Sequence, residues 1–410
     1  MKRVVVTGFG ALSPLGHDWP SVRQHLRDKR NAVVTMQEWA AFEGLHTRLG
    51  APAKPFELPA HYNRKSTRSM GRVALLATRA SELALIDAGL LGDPLVKSGR
   101  MGVSYGSSAG TPSAIGDFGR MMSEKSTEGI NATTYIKMMS HTAAVNIGVF
   151  FGMTGRIITT SSACTSGSQG IGSAFEAIQY GKQTAMLAGG AEELDATEAA
   201  VFDTLFATSV RNDEPESSPR PFDAERDGLV LGEGAGTLVL EELEHALARG
   251  ARIHAEVLGY GTNSDGAHVT QPKSETMAEA IRLALHSAGL PPEAIGYVNA
   301  HGTATDHGDV AESIATHAVF GERVPLSSLK SYMGHTLGAC GALEAWMTIE
   351  MMRDGWFAPT VNLRQVDPRC APLQYVMGDG LQLQTDRVMS NNFAFGGINT
   401  SLIFGRWRGS

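Results

Sequence analysis

Short apolar runs that end in glycine alternate along this chain with longer segments suited to helices. The runs cover residues 4–6, 101–104, 185–188, 237–240 and 297–300, and many of the 47 glycines stand at their ends. Glycine at the end of an apolar run is typical of a tight turn from a strand into a helix. The alternation therefore predicts an α/β fold whose strands are covered by helices on both faces.

A weak internal repeat predicts that the fold is duplicated. The sequence at 5–10 resembles that at 256–261, and the segments at 161–177 and 327–345 share small residues and an ending in Glu-Ala. Because the order and relative position of the two pairs agree, we expect two similar α/β halves that meet face to face. The predicted halves are residues 1–250 and 251–410.

The composition of the chain restricts the class of protein. A net charge of −7 with no basic stripe argues against nucleic-acid binding. Three unpaired-looking cysteines without metal spacing predict a reducing compartment. The start of the sequence lacks the apolar stretch of a secretory signal, and no run approaches the ~20 apolar residues of a membrane span. We expect a cytoplasmic protein without a membrane span.

Cys164 is the candidate nucleophile. It follows the β-branched run at 157–160 and precedes small residues that lead into a predicted helix over 165–180. The N–H groups at the start of a helix stabilise a thiolate, so we expect the pKa of this thiol to be depressed. Its own backbone N–H is expected to help hold an oxyanion.

Two histidines are candidates for proton transfer near that thiol. His301 ends the run at 297–300, and His335 lies in the glycine-flanked segment 330–338. They could act as general base and acid, or as two donors to an enolate oxygen. The spacing gives no third ligand, so no catalytic metal is expected. Lys330 occupies the place of Cys164 in the repeat, and Glu344 is its expected ion-pair partner.

The segment Ser-Asn-Asn-Phe-Ala-Phe-Gly-Gly at 390–397 is interpreted as a glycine-hinged loop. In this interpretation Phe395 supplies a second oxyanion-hole N–H and a movable aromatic gate.

Taken together, these segments resemble the β-ketoacyl-acyl-carrier-protein synthases of the thiolase superfamily, closest to the synthase I/II branch. The resemblance spans the chain and rests on Ala-Cys-Thr-Ser-Gly at 163–167, His-Gly-Thr at 301–303, Lys330 with Gly-His at 334–335, and Phe-Ala-Phe-Gly-Gly at 393–397. It implies a five-layered α/β/α/β/α fold, a homodimer and an acyltransferase of fatty acid biosynthesis. It also implies decarboxylative condensation of malonyl-carrier with an acyl chain held on Cys164.

The resemblance implies roles for further residues. It implies no tightly bound cofactor, because the substrates travel on the phosphopantetheine arm of acyl carrier protein, the expected partner. It assigns the pantetheine arm to Thr303 and Thr305, carrier docking to Lys65 and Arg68, the acyl pocket to Ala109, Met138 and Met139, and a structural monovalent cation to Asn299, Glu344, Ser390 and Asn391.

Some positions depart from the family pattern. Ala394 replaces a glycine of the gate loop, which is expected to stiffen the hinge if the backbone φ there is positive. Phe206 and the stretch 130–134 lack the usual docking charges. With flexible methionines in the acyl pocket, these departures suggest a synthase specialised for an unsaturated or aryl polyene chain.

Two other functions stay open on the sequence. The chain could be the noncatalytic chain-length partner in a ketosynthase heterodimer, although such partners usually lack the elbow cysteine that Cys164 provides. It could also be a thiolase acting on coenzyme A thioesters. Thiolases generally carry a second reactive cysteine late in the chain, and Cys370, followed by Ala-Pro, does not fit that pattern.

Overall fold

The computed structural model describes residues 1–409. Its strands are β1 Val4–Leu12, β2 Val34–Thr35, β3 Leu49–Ala51, β4 Met101–Gly106, β5 Ile157–Thr159, β6 Ala185–Glu192, β7 Leu231–Gly232, β8 Gly234–Glu242, β9 Ala255–Ser264, β10 Tyr297–Asn299, β11 Pro325–Ser327, β12 Trp356–Phe357, β13 Gln374–Tyr375, β14 Leu381–Gln382, β15 Arg387–Phe393 and β16 Ile398–Arg406.

The α-helices connect these strands in the α/β manner that the sequence predicts. They are α1 Trp19–Arg27, α2 Arg64–Thr67, α3 Arg72–Asp87, α4 Pro112–Glu124, α5 Ala132–Met138, α6 Thr142–Phe151, α7 Ser166–Gln179, α8 Ala196–Asp203, α9 Leu243–Ala248, α10 Ser274–Ala288, α11 Asp306–Phe320, α12 Lys330–Met333 and α13 Cys340–Asp354. Apolar side chains at mixed three- and four-residue spacing over 72–88 predict one helix that ends at a glycine. Helix α3 confirms it, and Gly89 follows with a φ of +67°.

One mixed sheet of eleven strands carries the fold, in the order β13-β11-β10-β15-β16-β9-β1-β8-β6-β4-β5. Its two halves join where β1 pairs with β9 over three residues. Outward from this junction, the first half has two antiparallel pairings followed by two parallel pairings. The second half repeats these directions and adds a third parallel pairing, of β11 with β13, at its edge. The strands β5 and β11, which lead to Cys164 and to Lys330, therefore occupy equivalent places.

Helices and sheet halves form five layers. Helices α3 and α6 cover the outer face of the first half, and α10 with α11 beside it covers the outer face of the second. Helices α7 and α13 pack against each other and against strands of both halves. Strands β1, β4 and β6 are buried along their whole length, as the continuous apolar runs predict.

Within residues 1–409, no helix is long and apolar enough to cross a membrane.

Candidate active site

Cys164 lies at a sharp turn between β5 and α7. A 3₁₀ turn over Ala163–Thr165 carries it, and Ala163 has a left-handed backbone with φ +50°. Small residues are required here because the loop before α13 passes very close: a Cβ on Gly167 would lie 2.9 Å from the carbonyl oxygen of Gly338. The turn holds the sulfur at the start of α7, where the sequence places it.

The structure brings both predicted histidines to this sulfur. Nε2 of His335 lies 2.9 Å from Sγ of Cys164. The rings of His301 and His335 are perpendicular, with an interplanar angle of 88° and 5.1 Å between their centroids. One atom from each of the three side chains lies within 4.8 Å of the others. All three residues are buried, so water competes little with their mutual contacts.

Backbone hydrogen bonds fix the two histidines from different elements. His301 follows β10, and its N–H donates to the carboxylate of Glu312 on α11 over 2.7 Å, as does the N–H of Gly302. His335 follows α12, and its N–H donates to the carbonyl of Val230 over 2.7 Å. Each ring is therefore placed by a contact outside its own loop.

A buried polar network lies behind the histidines. Lys330 is 1% exposed, and its ammonium pairs with the carboxylate of Glu344 on α13, as predicted. Asn392 donates to the same carboxylate over 2.8 Å and lies 3.5 Å from Nδ1 of His301. With Nδ1 accepting from this amide, the proton of His301 is carried on Nε2, the ring nitrogen available to a substrate.

The pKa of Cys164 contradicts the expectation of a depressed value. Burial raises the pKa of the thiol to about 11, while the Lys330 ammonium and the backbone N–H groups of Phe395 and Cys164 act in the opposite direction. Cys164 is 4% exposed, so loss of hydration outweighs the helix terminus and the lysine. The resting group is a thiol whose proton faces Nε2 of His335.

Burial and the nearby Lys330 hold the pKa of His335 and of His301 well below the usual value for histidine. The neighbouring His335 lowers the pKa of His301 further. Both imidazoles are therefore neutral near pH 7. Among the described residues, Nδ1 of His335 has no hydrogen-bond partner. This ring can therefore present Nε2 as an acceptor or as a donor.

Phe395 lies where the gate was predicted. Its backbone N–H and that of Cys164 itself both act to lower the pKa of the Cys164 thiol. Its ring packs on Phe202, with 5.1 Å between centroids. Ala394 does not have a positive φ, so the condition for a stiffer hinge is not met, and the positive φ values fall on Gly396 and Gly397 instead.

A cavity of about 440 Å³ leads from the surface to the three catalytic candidates. Thr303 and Thr305 line it, and their hydroxyls lie 2.9 Å apart. This position suits two hydroxyl groups that bind the amides of a pantetheine arm. Phe395 also lines the cavity, at the end nearest the sulfur.

The remaining predicted residues lie outside this cavity lining. Ala109 is half-buried, and the next residue, Gly110, touches the backbone of Met138 and Met139, so these three form one group. Lys65 lies on α2 and Arg68 caps it, away from the cavity. The predicted acyl-pocket and docking roles of these residues stay predictions.

Of the four residues assigned to a monovalent cation, Asn299, Ser390 and Glu344 lie close together and Asn391 does not join them. Nδ2 of Asn299 lies 3.2 Å from Oγ of Ser390 and 3.5 Å from the Glu344 carboxylate. Oδ1 of Asn299 is buried without a partner in the described chain, and such oxygen donors fit a monovalent cation. Asn391, however, alternates along β15 with Ser390 and Asn392, which turns its side chain to the other face.

Cysteine and histidine are ligand types that bind zinc, and Cys164, His301 and His335 form a cluster of them. The spacing of these residues in the sequence does not predict a zinc site. The neighbouring Lys330 ammonium lowers the pKa of all three groups and opposes a second cation.

Three residues of the site have no signal in the sequence that singles them out. Asn392 and Glu312 act through contacts with segments far away in the chain. Cys340 donates from its sulfur to the carbonyl of Cys164 over 3.2 Å. Cys370 lies elsewhere, in the core of the second half, so the structure gives no support to a thiolase-like second cysteine. For Asn392, the nearest signal in the sequence is that it forms an asparagine pair with Asn391 inside an apolar segment.

Comparison with known proteins agrees with this geometry over the whole chain. The family model described as "Beta-ketoacyl synthase, N-terminal domain" matches residues 1–246, and the corresponding C-terminal domain matches residues 254–364. The chain belongs to the beta-ketoacyl synthase family. It is an acyltransferase with the thiolase-like fold of that family, and it acts in fatty acid chain elongation.

Individual relatives cover the chain from end to end. It is 37% identical over 407 residues to 3-oxoacyl-[acyl-carrier-protein] synthase 1 of Escherichia coli (strain K12), covering 98% of each chain. A solved beta-ketoacyl synthase from Burkholderia phymatum STM815 is 62% identical and superposes with a TM-score of 0.98 over all of both chains. The solved ishigamide ketosynthase/chain length factor is 33% identical, with a TM-score of 0.90 over 99% of each chain.

Proposed function

We propose that this beta-ketoacyl synthase takes both of its substrates from acyl carrier protein and condenses them by a ping-pong reaction at Cys164. The observation that carries the proposal is the 2.9 Å contact between Sγ of Cys164 and Nε2 of His335 at the inner end of the cavity. The names of the curated relatives, which are acyl-carrier-protein synthases, support the choice of carrier.

In the first half-reaction, Sγ of Cys164 attacks the thioester carbonyl of the acyl carrier. The thiol proton passes to Nε2 of His335 and then to the departing thiolate of the carrier's pantetheine arm. The backbone N–H groups of Cys164 and Phe395, which act to lower the pKa of the thiol, stabilise the negative oxygen of the tetrahedral intermediate. Attack and proton transfer occur together, because burial disfavours a free thiolate.

In the second half-reaction, malonyl-carrier occupies the same cavity. The Nε2–H of His301, and that of His335 once its proton has moved from Nδ1 to Nε2, donate to the thioester oxygen while carbon dioxide leaves, so the electron pair is held as an enolate. The enolate carbon attacks the acyl carbonyl, and the bond to Sγ of Cys164 breaks. The product is a β-ketoacyl chain on the carrier, and the Cys164 thiolate left behind takes a proton from solvent water as the product leaves.

The other assignments follow the same proposal. Lys330, paired with Glu344, keeps both imidazoles neutral, and Thr303 and Thr305 bind the pantetheine arm. Two chains form a homodimer that completes the acyl pocket at Ala109, Met138 and Met139. A structural monovalent cation binds beside Asn299, and the chain is divided near residue 250 into two halves. No contact favours the chain-length-partner function, since the cysteine and both histidines are present and assembled.

The test is reconstitution with acyl-carrier and malonyl-carrier, scored by intact mass for the β-ketoacyl-carrier product. The wild-type chain should form the product, and Cys164→Ala should form none. His335→Ala should slow transfer of the acyl group to Cys164 by about 10²-fold or more, the usual contribution of a general base. His301→Ala should acylate at a near-normal rate but fail to condense. Equal losses of acylation in both histidine variants would contradict the separate roles.

A further inference from the structure

Three large apolar side chains stand exposed around the mouth of the active-site cavity. Phe206 is 86% exposed, Val269 is 66% exposed and Leu205 is 46% exposed, and all three line the cavity opening. Exposed apolar side chains that are scattered singly need no explanation, but a group around the entrance of a functional cavity marks an interaction surface. We call these three residues the apolar rim.

The exposure of Phe206 is built into the structure around it. The residue has a left-handed backbone, with φ +52°, directly after α8. The buried carboxylate of Asp203 holds this turn by accepting hydrogen bonds from the N–H groups of His46 and Thr47 and from the hydroxyl of Thr208, over 2.8 to 3.0 Å. A bulky residue kept in this conformation and facing water is disfavoured for folding alone, which points to a role in binding.

Val269 is likewise held in place. Its carbonyl accepts a hydrogen bond from the N–H of Gly396 in the gate loop over 2.8 Å. The rim is therefore continuous with the loop that carries Phe395, and a partner on the rim lies directly over the entrance to the sulfur.

Positive charge is scarce at this mouth. Among the described residues that line the cavity, Arg226 carries the sole ammonium or guanidinium group. Its side chain is buried and pairs with Asp367 over 2.6 Å and with Asp309 over 3.7 Å. The lining also contains five carboxyl groups, on Asp227, Asp265, Asp306, Asp309 and Glu312. Attraction between opposite charges is therefore a poor means of seating an acidic partner on the rim.

We propose that the apolar rim of Leu205, Phe206 and Val269 docks the carrier protein through apolar contact, and selects a carrier that presents an apolar side chain beside the serine that bears the phosphopantetheine arm. This inference rests on the proposed function, because the arm must enter the cavity that the rim surrounds. The carrier body must then sit on the rim while its thioester reaches Cys164. Phe206, the most exposed of the three, is the main contact.

The experiment measures kcat/KM for acylation of Cys164 from two donors: the acyl carrier protein and the matching acyl N-acetylcysteamine thioester, which has no protein body. Phe206→Ala and Phe206→Arg are compared with the wild type. Tyr180→Ala is the matched control, because Tyr180 is an aromatic residue that is 62% exposed and lies outside the cavity. Each rate is measured at low and high salt.

For Phe206→Ala we expect the ratio of carrier rate to small-thioester rate to fall about tenfold or more, the effect of losing a buried phenyl contact. Tyr180→Ala should leave this ratio unchanged. The wild-type carrier rate should change less than about threefold with salt, since apolar contact is not screened.

A ratio for Phe206→Ala equal to that of Tyr180→Ala, or a higher carrier rate in Phe206→Arg, would overturn the apolar docking surface. Absence of acylation from both donors would overturn the proposed function itself.

Discussion

At the residue scale, the chemistry depends on a thiol that is buried rather than ionised. Burial raises the pKa of Cys164 to about 11, so the fraction of thiolate near pH 7 is small and rises with pH. We therefore expect the rate of Cys164 alkylation by iodoacetamide to rise about tenfold per pH unit between pH 7 and pH 9. Peptide mapping separates this signal from Cys340 and Cys370. A plateau in the rate below pH 8 would show a depressed pKa and contradict this account.

Lys330 and Glu344 form a buried ion pair in which each charge depends on the other. Lys330→Met leaves the Glu344 carboxylate without its cation, and we expect the free energy of unfolding to fall by about 3–5 kcal/mol. The double variant Lys330→Met with Glu344→Gln should recover much of this loss but not the condensation rate. Chemical denaturation measures the free energy of unfolding of the single and double variants, and a condensation assay measures their rates. A single variant as stable as the wild type would show that the pair does not stabilise the fold.

At the element scale, the gate loop after β15 closes against the loop that begins at Asp265. Gly396 and Gly397 both have a positive φ, but only a Cβ on Gly397 would meet Asp265, at 2.7 Å. Gly397→Ala should therefore reduce the condensation rate much more than Gly396→Ala, which carries a similar backbone strain without the clash. Steady-state kinetics of both variants provide the comparison. Equal effects would mean that contact with Asp265 has no part in gating.

The order of elements could be predicted from the sequence because each strand and turn is encoded locally. The elbow at Cys164, the helix α3 and the strand before His301 follow from apolar runs and glycines. The partners of these residues could not be predicted, because Glu312 and Asn392 reach the histidines only through the tertiary fold. The prediction of a depressed pKa for Cys164 was wrong for the same reason. The sequence indicates the helix terminus, but it does not indicate how deeply the thiol is buried.

At the scale of the whole molecule, one edge of the sheet is left open. The edge strand β5 exposes Ile157, and the nearby helix α6 exposes Val149. An uncapped edge strand with apolar neighbours favours pairing with a second chain. Native mass measurement should give twice the mass of one chain, and the double variant Ile157→Asp with Val149→Asp should give single chains. A wild-type protein that remains monomeric would contradict the homodimer.

The repeat in the sequence correctly anticipated two sheet halves with the same pairing directions, because equivalent strands keep equivalent glycines.

Contacts between separate molecules have no such local signal. The docking roles of Lys65 and Arg68 stay a prediction, while Phe206 and Val269 line the cavity. The sequence showed that Phe206 is not charged, but its exposure depends on the Asp203 turn, which joins residues far apart in the chain.

The most direct test of the central claim is the intact mass of the wild-type chain after incubation with acyl carrier protein as the only donor. The account predicts a single acyl adduct, mapped to the peptide that contains Cys164 and absent from Cys164→Ala. An adduct on Cys340 or on any other residue, or no adduct with a carrier that is itself fully acylated, would contradict it.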